Sequence, residues 1–442
     1  MPALVAAASA GPRLAAPGKD QPEKARRTAH ATGLVTGSAE DQTSTLQALI
    51  DEAANRGAPL ELPAGRFRTC HLTLRPGTRL IGASEMTVLE FAGGPAFLTG
   101  ENADGILLSG LTLDGARLAL DPDRTDALVS FRDCAGLEVR HSSFVRSLLN
   151  GLSLTRSSGV VTDSSFAGHA EAAIRSLDAA GLDVLHNRIS GASNNGIQIW
   201  RQQAGEDGTI VTLNRIDDIG AKSGGSGENG NGVNVFRAEG VLVTGNRITD
   251  CAYSAVRANS ASNVTITGNS CARLGEVALY AEFAFEGAIL SSNLVEEAAS
   301  GIEVTNFDEG GRLAVVQGNL IRKLKRREHE AVDKRGDGIS VEADSLVTGN
   351  VIEDAPNAGI VVGWGRYLRH CHVTNNLVRK ARYGILISAD KEAGACLVTG
   401  NMIAGASDGA IRLMNHGTAE GPDLAQAVPM SGRLAISGNV RV

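Results

Sequence analysis

The sequence predicts an all-β protein: a single right-handed parallel β-helix, closed at its N-terminal end by one amphipathic helix. Two observations predict it. First, a short phrase returns along the chain, as VLVTGNRITDCAYSAVRAN, VTITGNSCARLGEVALYAEF, AILSSNLVEEAASGIEVTNF and SLVTGNVIEDAPNAGIVVGW. Second, apolar residues within each copy alternate with period 2, which excludes helical repeats. Each copy runs from a short strand through a marker asparagine and a polar turn into a strand of the form Gly-Ile-x-Ile. The markers are Asn187, Asn214, Asn246, Asn269, Asn293, Asn319, Asn350, Asn376, Asn401 and Asn439, and most steps between them are 22 to 27 residues. That period, with two or three short strands per copy, is a solenoid signature. In such a coil every strand pairs with its counterpart one turn above and below. The asparagines belong at turns, where their amides can bond the backbone and run as a ladder along the axis.

Taken in order, residues 1–32 read as a signal-peptide remnant and linker. MPALVAAASAGP is apolar and small, and Ala8-Ser9-Ala10 fits an Ala-x-Ala cleavage site, whereas Arg26-Arg27 is followed by no apolar run. Residues 33–66 form the cap. Asp41 or Thr43 can start a helix, Leu46, Leu49, Ile50 and Ala53 give it one apolar face, and Gly57 stops it. A solenoid needs its open end covered, and this helix is the lid. Residues 67–442 form the β-helix, with Leu111, Ser142 and Ser164 at the marker place in earlier turns. Counting turns gives about thirteen or fourteen, a rod about 65 Å long. The stretch from His416 to Pro429 breaks the pattern and is expected to fold over the C-terminal end before a last strand at Leu434 to Ser437.

Composition narrows function. The 442 residues are 43% hydrophobic and 4% aromatic, with 53 Gly, 12 Pro and a net charge of −7. That balance gives no global basic field for nucleic acid, and no apolar run is long enough to span a membrane. The six cysteines make no CxxC pair and no zinc pattern. Cys371 and Cys396 share one place in successive repeats, as stacked core thiols or as a disulfide.

The order of a short helix, LPAGRF, LTLRPGTRLIGAS and then a β-helix resembles the N-terminal region of pectin-lyase-like proteins. The runs WRQQAGEDGT, SGGSGENGNGVNVFRA, ALYAEFAFEGA and TNFDEGGRLAVVQGNLIR carry a likeness to a narrower group, the bacterial twin-arginine-translocated repetitive proteins, a group without an assigned reaction. The likeness covers nearly everything after Thr32. It implies export, to the periplasm or outside the cell, and a polysaccharide partner. It admits calcium by analogy only, and no carboxylate cage is legible, so no cofactor is assigned. The Asn-Thr-Asp, Gly-His-Gly and Arg-Ile-Lys signatures of polygalacturonases and the Asp-Pro-His of alginate epimerases are absent.

Alternation tells inside from outside. The x positions form one outward column: Ser153, Arg175, Gln198, Asn234, Arg257, Tyr280, Glu303, Ser340. A second column, two residues on, holds Leu177, Trp200, Phe236, Asn259, Glu282, Thr305 and Glu342, with Arg201, Arg237 and Asn306 at strand ends. Two insertions leave the same corner of the coil. The marker-to-glycine spacing is 18 from Asn214 to Gly232 and 19 from Asn319 to Gly338, four turns or about 19 Å apart. The loops at 217–231 and 322–337 would then wall a cleft. Glycan chemistry needs two carboxylates, for which Glu282 and Glu303 are candidates, or a base beside an Arg-neutralised uronate. Tyr280 beside Arg257 fits the second, since a cation favours the phenolate. The catalytic candidates are therefore Arg257, Tyr280, Glu282 and Glu303. Trp200, Arg201, Asn234, Arg237, Asn259 and Asn306 would bind sugar, and no metal ligand is assigned. The expected function is an exported protein cleaving or modifying an acidic polysaccharide, by lyase or hydrolase chemistry. The competing reading is a non-catalytic glycan-binding or cell-envelope structural protein.

Overall fold

Three parallel ladders wind around one narrow core in the computed structural model, which describes residues 29–30 and 33–442 except 85, 180, 226, 327–335 and 426–431. The coil makes about fourteen turns. The signal-peptide and linker reading of residues 1–32 lies outside the described residues except at Ala29–His30, a two-residue strand paired with Leu60–Glu61. Helix α1 spans Thr43–Arg56, buries Leu46, Ile50 and Ala53, and ends at Gly57 in the left-handed region (φ 63°). Its N-cap is Gln42, whose side chain bonds Val35 instead of the helix. Asp41 accepts the Thr43 N–H at 3.0 Å, so the expected starter acts one residue further out.

The first ladder holds the strands before each marker, such as Leu242–Thr244 and Val264–Thr267. The second holds those just after it, such as Arg247–Cys251 and Ser270–Leu274. The third holds the Gly-Ile-x-Ile strands, such as Val277–Glu282 and Ser300–Val304. Corners between the first two ladders are sharp because one residue there takes positive φ. Gly245 (64°), Gly268 (66°) and Gly349 (65°) do so at no steric cost, which explains the recurring Gly-Asn pair. At the entry to the third ladder the reason for glycine is different. A Cβ on Gly301 or Gly338 would collide with the carbonyl oxygen of the next turn's glycine, Gly338 or Gly359.

Inward columns fill the core. Val243, Ile266, Leu290 and Val316 stack in the first ladder and Ile302, Ile339, Ile360 and Ile385 in the third, all fully buried or within 1% of it. Each such side chain contributes about 1.5–3 kcal/mol relative to exposure. Earlier turns use aromatics instead, with Phe144 and Phe166 stacked at 4.6 Å.

The asparagine ladder is continuous. The Asn269 N–H and Nδ2 both donate to Asn293 Oδ1, at 2.9 and 3.1 Å, and Nδ2 also donates to the Val243 carbonyl at 3.0 Å. The same pattern runs from Asn187 to Asn439. Ser164 and Ser142 extend it through their hydroxyls, ending at the Leu111 N–H. Every buried amide is satisfied along the axis, which removes the cost of burying it. Cys371 and Cys396 lie in register with free, buried thiols, and burial pushes the Cys371 thiol up to about 12. The pair is a rung of stacked thiols.

After Ile411 the chain turns back as an antiparallel hairpin, pairing Leu413–Asn415 with Thr418–Glu420. Leu424 and Ala425 then pack against the core, and Asp423 accepts the Ala410 and Ile411 N–H groups. The last ladder-one strand, Leu434–Ser437, follows.

Candidate functional site

Register fixes the outward columns. Asn234 pairs with Arg257, Arg257 with Tyr280, Tyr280 with Glu303, and Glu303 with Ser340. Beyond Ser340 the column turns apolar, with Val361 and Leu386. These two pack with Met414 of the terminal hairpin in a small outer cluster.

A cleft of about 330 Å³ opens on this face. Its floor is Tyr280, Glu303, Ser340 and Val361, with Thr305 and Glu342 beside them. One wall is the loop after Val304, where Asn306 takes φ 69° and leads into a short 3-10 turn at Phe307–Glu309. The opposite end is Gly363 and Trp364, with His416 edge-on to the Trp364 ring at 5.7 Å. Arg369 lies over the Phe307 ring at 4.5 Å and ties the two walls together.

Among the described residues three carboxyls line the cleft: Glu303, Glu342 and Asp337. Glu342 accepts the Phe307 N–H at 2.7 Å. Burial nevertheless lifts its pKa to about 7, and the Asp308 carboxylate adds to the rise. Asp337 is buried and accepts from Asn357 Nδ2 at 2.8 Å and the Ala358 N–H at 3.1 Å. It fixes the entry to the next rung. Tyr280 does not become a phenolate. Burial first, then the Glu303 and Glu282 carboxylates, hold its pKa well above the usual phenol range. The cation expected to lower it, Arg257, is committed elsewhere and its pull is the smaller one.

Arg257 binds Glu282 in bidentate fashion, Nε to Oε1 at 2.7 Å and Nη2 to Oε2 at 2.8 Å. Its Nη1 reaches Glu276 at 2.9 Å, and Asn259 Nδ2 donates to Glu282 at 2.9 Å. Arg257 and Glu282 are only 6% and 2% exposed. The guanidinium also lies 4.8 Å from the centre of the Tyr280 ring. Charge-assisted pairs of this kind are strong where water is excluded.

The remaining predicted residues form a third group nearer the N-terminus. Trp200 Nε1 donates to Asn234 Oδ1 at 2.8 Å, and Asn234 Nδ2 donates to the Gly227 carbonyl of the first insertion at 3.0 Å. Arg237 stacks on Phe236 at 4.6 Å and donates to the Gln202 carbonyl. Arg201 donates to the Ala179 carbonyl at 3.0 Å. The structure thus joins Tyr280, Glu303 and Asn306 in the cleft, Arg257, Glu282 and Asn259 in a buried network, and Trp200, Arg201, Asn234 and Arg237 in a separate patch.

Both insertions leave the corner between the second and third ladders. Gly230 accepts the Tyr253 N–H at 2.8 Å, and Lys325 and Gly336 donate to Ala298 and Ala299 at 2.8 Å. The middle of the second wall, 327–335, lies outside the described residues. Sequence reasoning missed Trp364 and Asp337. The Gly-Trp-Gly run at 363–365 and the Asp-Gly step at 337–338 were the available signals. Among the described residues, no three His, Cys, Asp or Glu side chains cluster so as to hold a metal ion, and no helix is long and apolar enough to cross a membrane.

Comparison with known proteins agrees on the fold. The family described as right-handed beta helix region matches residues 204–378. Among solved structures, PfbA, a surface adhesin of Streptococcus pneumoniae, is 14% identical, with a TM-score of 0.55 over 94% of this chain and 99% of its own. The N-terminal fragment of gene product 12 of bacteriophage phi29 is 14% identical, with a TM-score of 0.54 over 93% and 69%. A PL6 alginate lyase in complex with a trisaccharide is 12% identical, with a TM-score of 0.50 over 95% and 96%. No curated protein matches the chain in sequence. The chain has the right-handed parallel β-helix fold.

Proposed function

We propose that this is an exported, carbohydrate-active β-helix protein that binds a glycan in the Tyr280–Trp364 cleft and acts on it by acid–base chemistry. One observation carries the reading: Glu342, with its pKa lifted to about 7, shares an outward face with Glu303. Glu342 stands one rung on and two residues along from Glu303, so their Cα atoms are about 8 Å apart. Two carboxyl groups on one face, one of them held protonated near neutral pH, is the arrangement that splits acid and base roles in glycoside hydrolysis. Glu342 is assigned the acid, and Glu303 the base or nucleophile. Trp364 offers a flat apolar surface for a sugar ring. Tyr280, held as a phenol, positions by hydrogen bonding. Arg257 and Glu282 support the floor as positioning residues. Export draws support from the twin-arginine likeness. Proteins of this fold include an alginate lyase and a surface adhesin.

A non-catalytic glycan-binding role is favoured by a different observation, that Arg257, Asn259, Glu276 and Glu282 satisfy one another. The test separates the two. A panel of neutral and acidic polysaccharides is followed by new reducing ends and by ultraviolet absorbance of unsaturated uronates. Glu342→Gln is expected to lower turnover by about 10²- to 10⁴-fold while leaving retention on the same polymer intact. Retention with no turnover by the unaltered protein on any polymer would favour the binding module.

A further inference from the structure

Arginines on the outer face of the second ladder are mostly paired. Arg66 meets Glu90 and Asp114, Arg322 meets Glu296, and Arg379 meets Glu353. Three are not. Arg188, Arg215 and Arg247 occupy one column in consecutive turns, in register. All three are exposed, and none has an ion pair or side-chain hydrogen bond among the described residues. Their Cα atoms step by about 4.8 Å, and like charges directly opposite one another on a sheet destabilise it. The rungs on either side are the neutral Ser165 and Ser270.

The three arginines border a shallow groove of about 480 Å³, floored by Ser190, Asp217, Thr249 and Asp250. Asp250 is already held by Arg273 through two bonds of 2.6 Å. Asp217 accepts from the Ser190 hydroxyl at 2.9 Å, so among the described residues three cations face one carboxylate that lacks a cationic partner.

We propose that this column is a binding site for a linear acidic polysaccharide, whose carboxylate or sulfate groups repeat along the coil axis and meet one guanidinium per turn. The site lies on a different ladder from the cleft and does not depend on it. A guanidinium matches a carboxylate or sulfate through paired N–H groups. The periodic spacing of free cations calls for a periodic anion. A single-stranded nucleic acid fits less well, because no exposed aromatic side chain lines the groove for base stacking. The anion recognition that the sequence suggested for Arg257 is thereby carried by three other arginines.

The test is binding without turnover. Fluorescently labelled polygalacturonate, dextran sulfate, neutral dextran and single-stranded DNA of similar length are titrated into the full-length protein at several salt concentrations, by anisotropy. The expected result is salt-sensitive binding of one or both acidic glycans, with neutral dextran unbound. The triple variant Arg188→Gln, Arg215→Gln, Arg247→Gln loses at least tenfold in affinity. The triple lysine variant retains most of it, and Arg156→Gln, which removes an exposed arginine paired with Asp133, leaves it unchanged. Melting curves confirm that each variant is folded. Equal binding by the triple glutamine variant, no binding by the unaltered protein, or DNA binding as tight as glycan binding would overturn the assignment. None of these outcomes depends on Glu342 or on catalysis.

Discussion

Arg257 and Arg215 stand in equivalent places, each outward on a parallel ladder of the same coil, yet one is locked away and the other is free. Arg257 meets Glu282 two residues along the next rung and Glu276 in the corner before it. Arg215 meets Arg188 and Arg247 above and below. An outward position therefore settles only that a side chain leaves the core. What it then meets depends on the neighbouring rungs and on the corner, which differ from turn to turn. A buried, fully partnered arginine reads as structure, and a free column of them reads as a surface waiting for an anion.

The largest effect expected from breaking this contrast is on stability. Arg257→Ala leaves Glu276 and Glu282 buried without their cation, and should cost about 3–5 kcal/mol, read as a fall in the denaturant midpoint. An unchanged midpoint would mean that the network is not structural.

Glu342 extends the comparison to carboxylates, since it is partly buried with no cationic partner among the described residues while Glu282 has one. Its folded pKa of about 7 lies above the ordinary 4.5. The native state therefore holds more protons between those values, and stability falls as pH rises from about 4.5 to about 7. Glu342→Gln should stabilise the protein at pH 8 by up to about 3 kcal/mol, with no gain at pH 4. As the acid, Glu342 should also make turnover decline as pH rises through about 7. A profile that rises there would reassign it as the base.

Replacing the charge network as a unit sharpens the first result. The triple variant Arg257→Met, Glu276→Gln, Glu282→Leu should recover much of what Arg257→Ala loses, to within about 1–2 kcal/mol of the unaltered protein, because a partnered buried charge network contributes little net stability when all its members are replaced together. Failure to recover would locate the value of the network in its geometry. The smallest effect is expected at Arg215→Ala, within about 0.5 kcal/mol and on the stabilising side, since it relieves repulsion along the column.

The sequence alone determined the coil, its register and its inner and outer faces. These features repeat, and each turn contacts only its neighbours, so a period-2 alternation and a marker asparagine carry nearly all the information. The stacking of Asn187 through Asn439, the rung shared by Cys371 and Cys396, and the order Arg257, Tyr280, Glu303 were all legible for that reason. Only the tertiary structure decided which outward side chains reach solvent. Glu276 sits in a corner that no repeat predicts. Trp364 belongs to a loop outside the period, and Met414 arrives from a hairpin that doubles back on the third ladder. Burial raised the Glu342 and Tyr280 pKa values, and Glu276 in its corner helps to hold Arg257 away from solvent. Segments distant in the chain set the local dielectric and the available partners, and neither is written in the spacing of a single repeat.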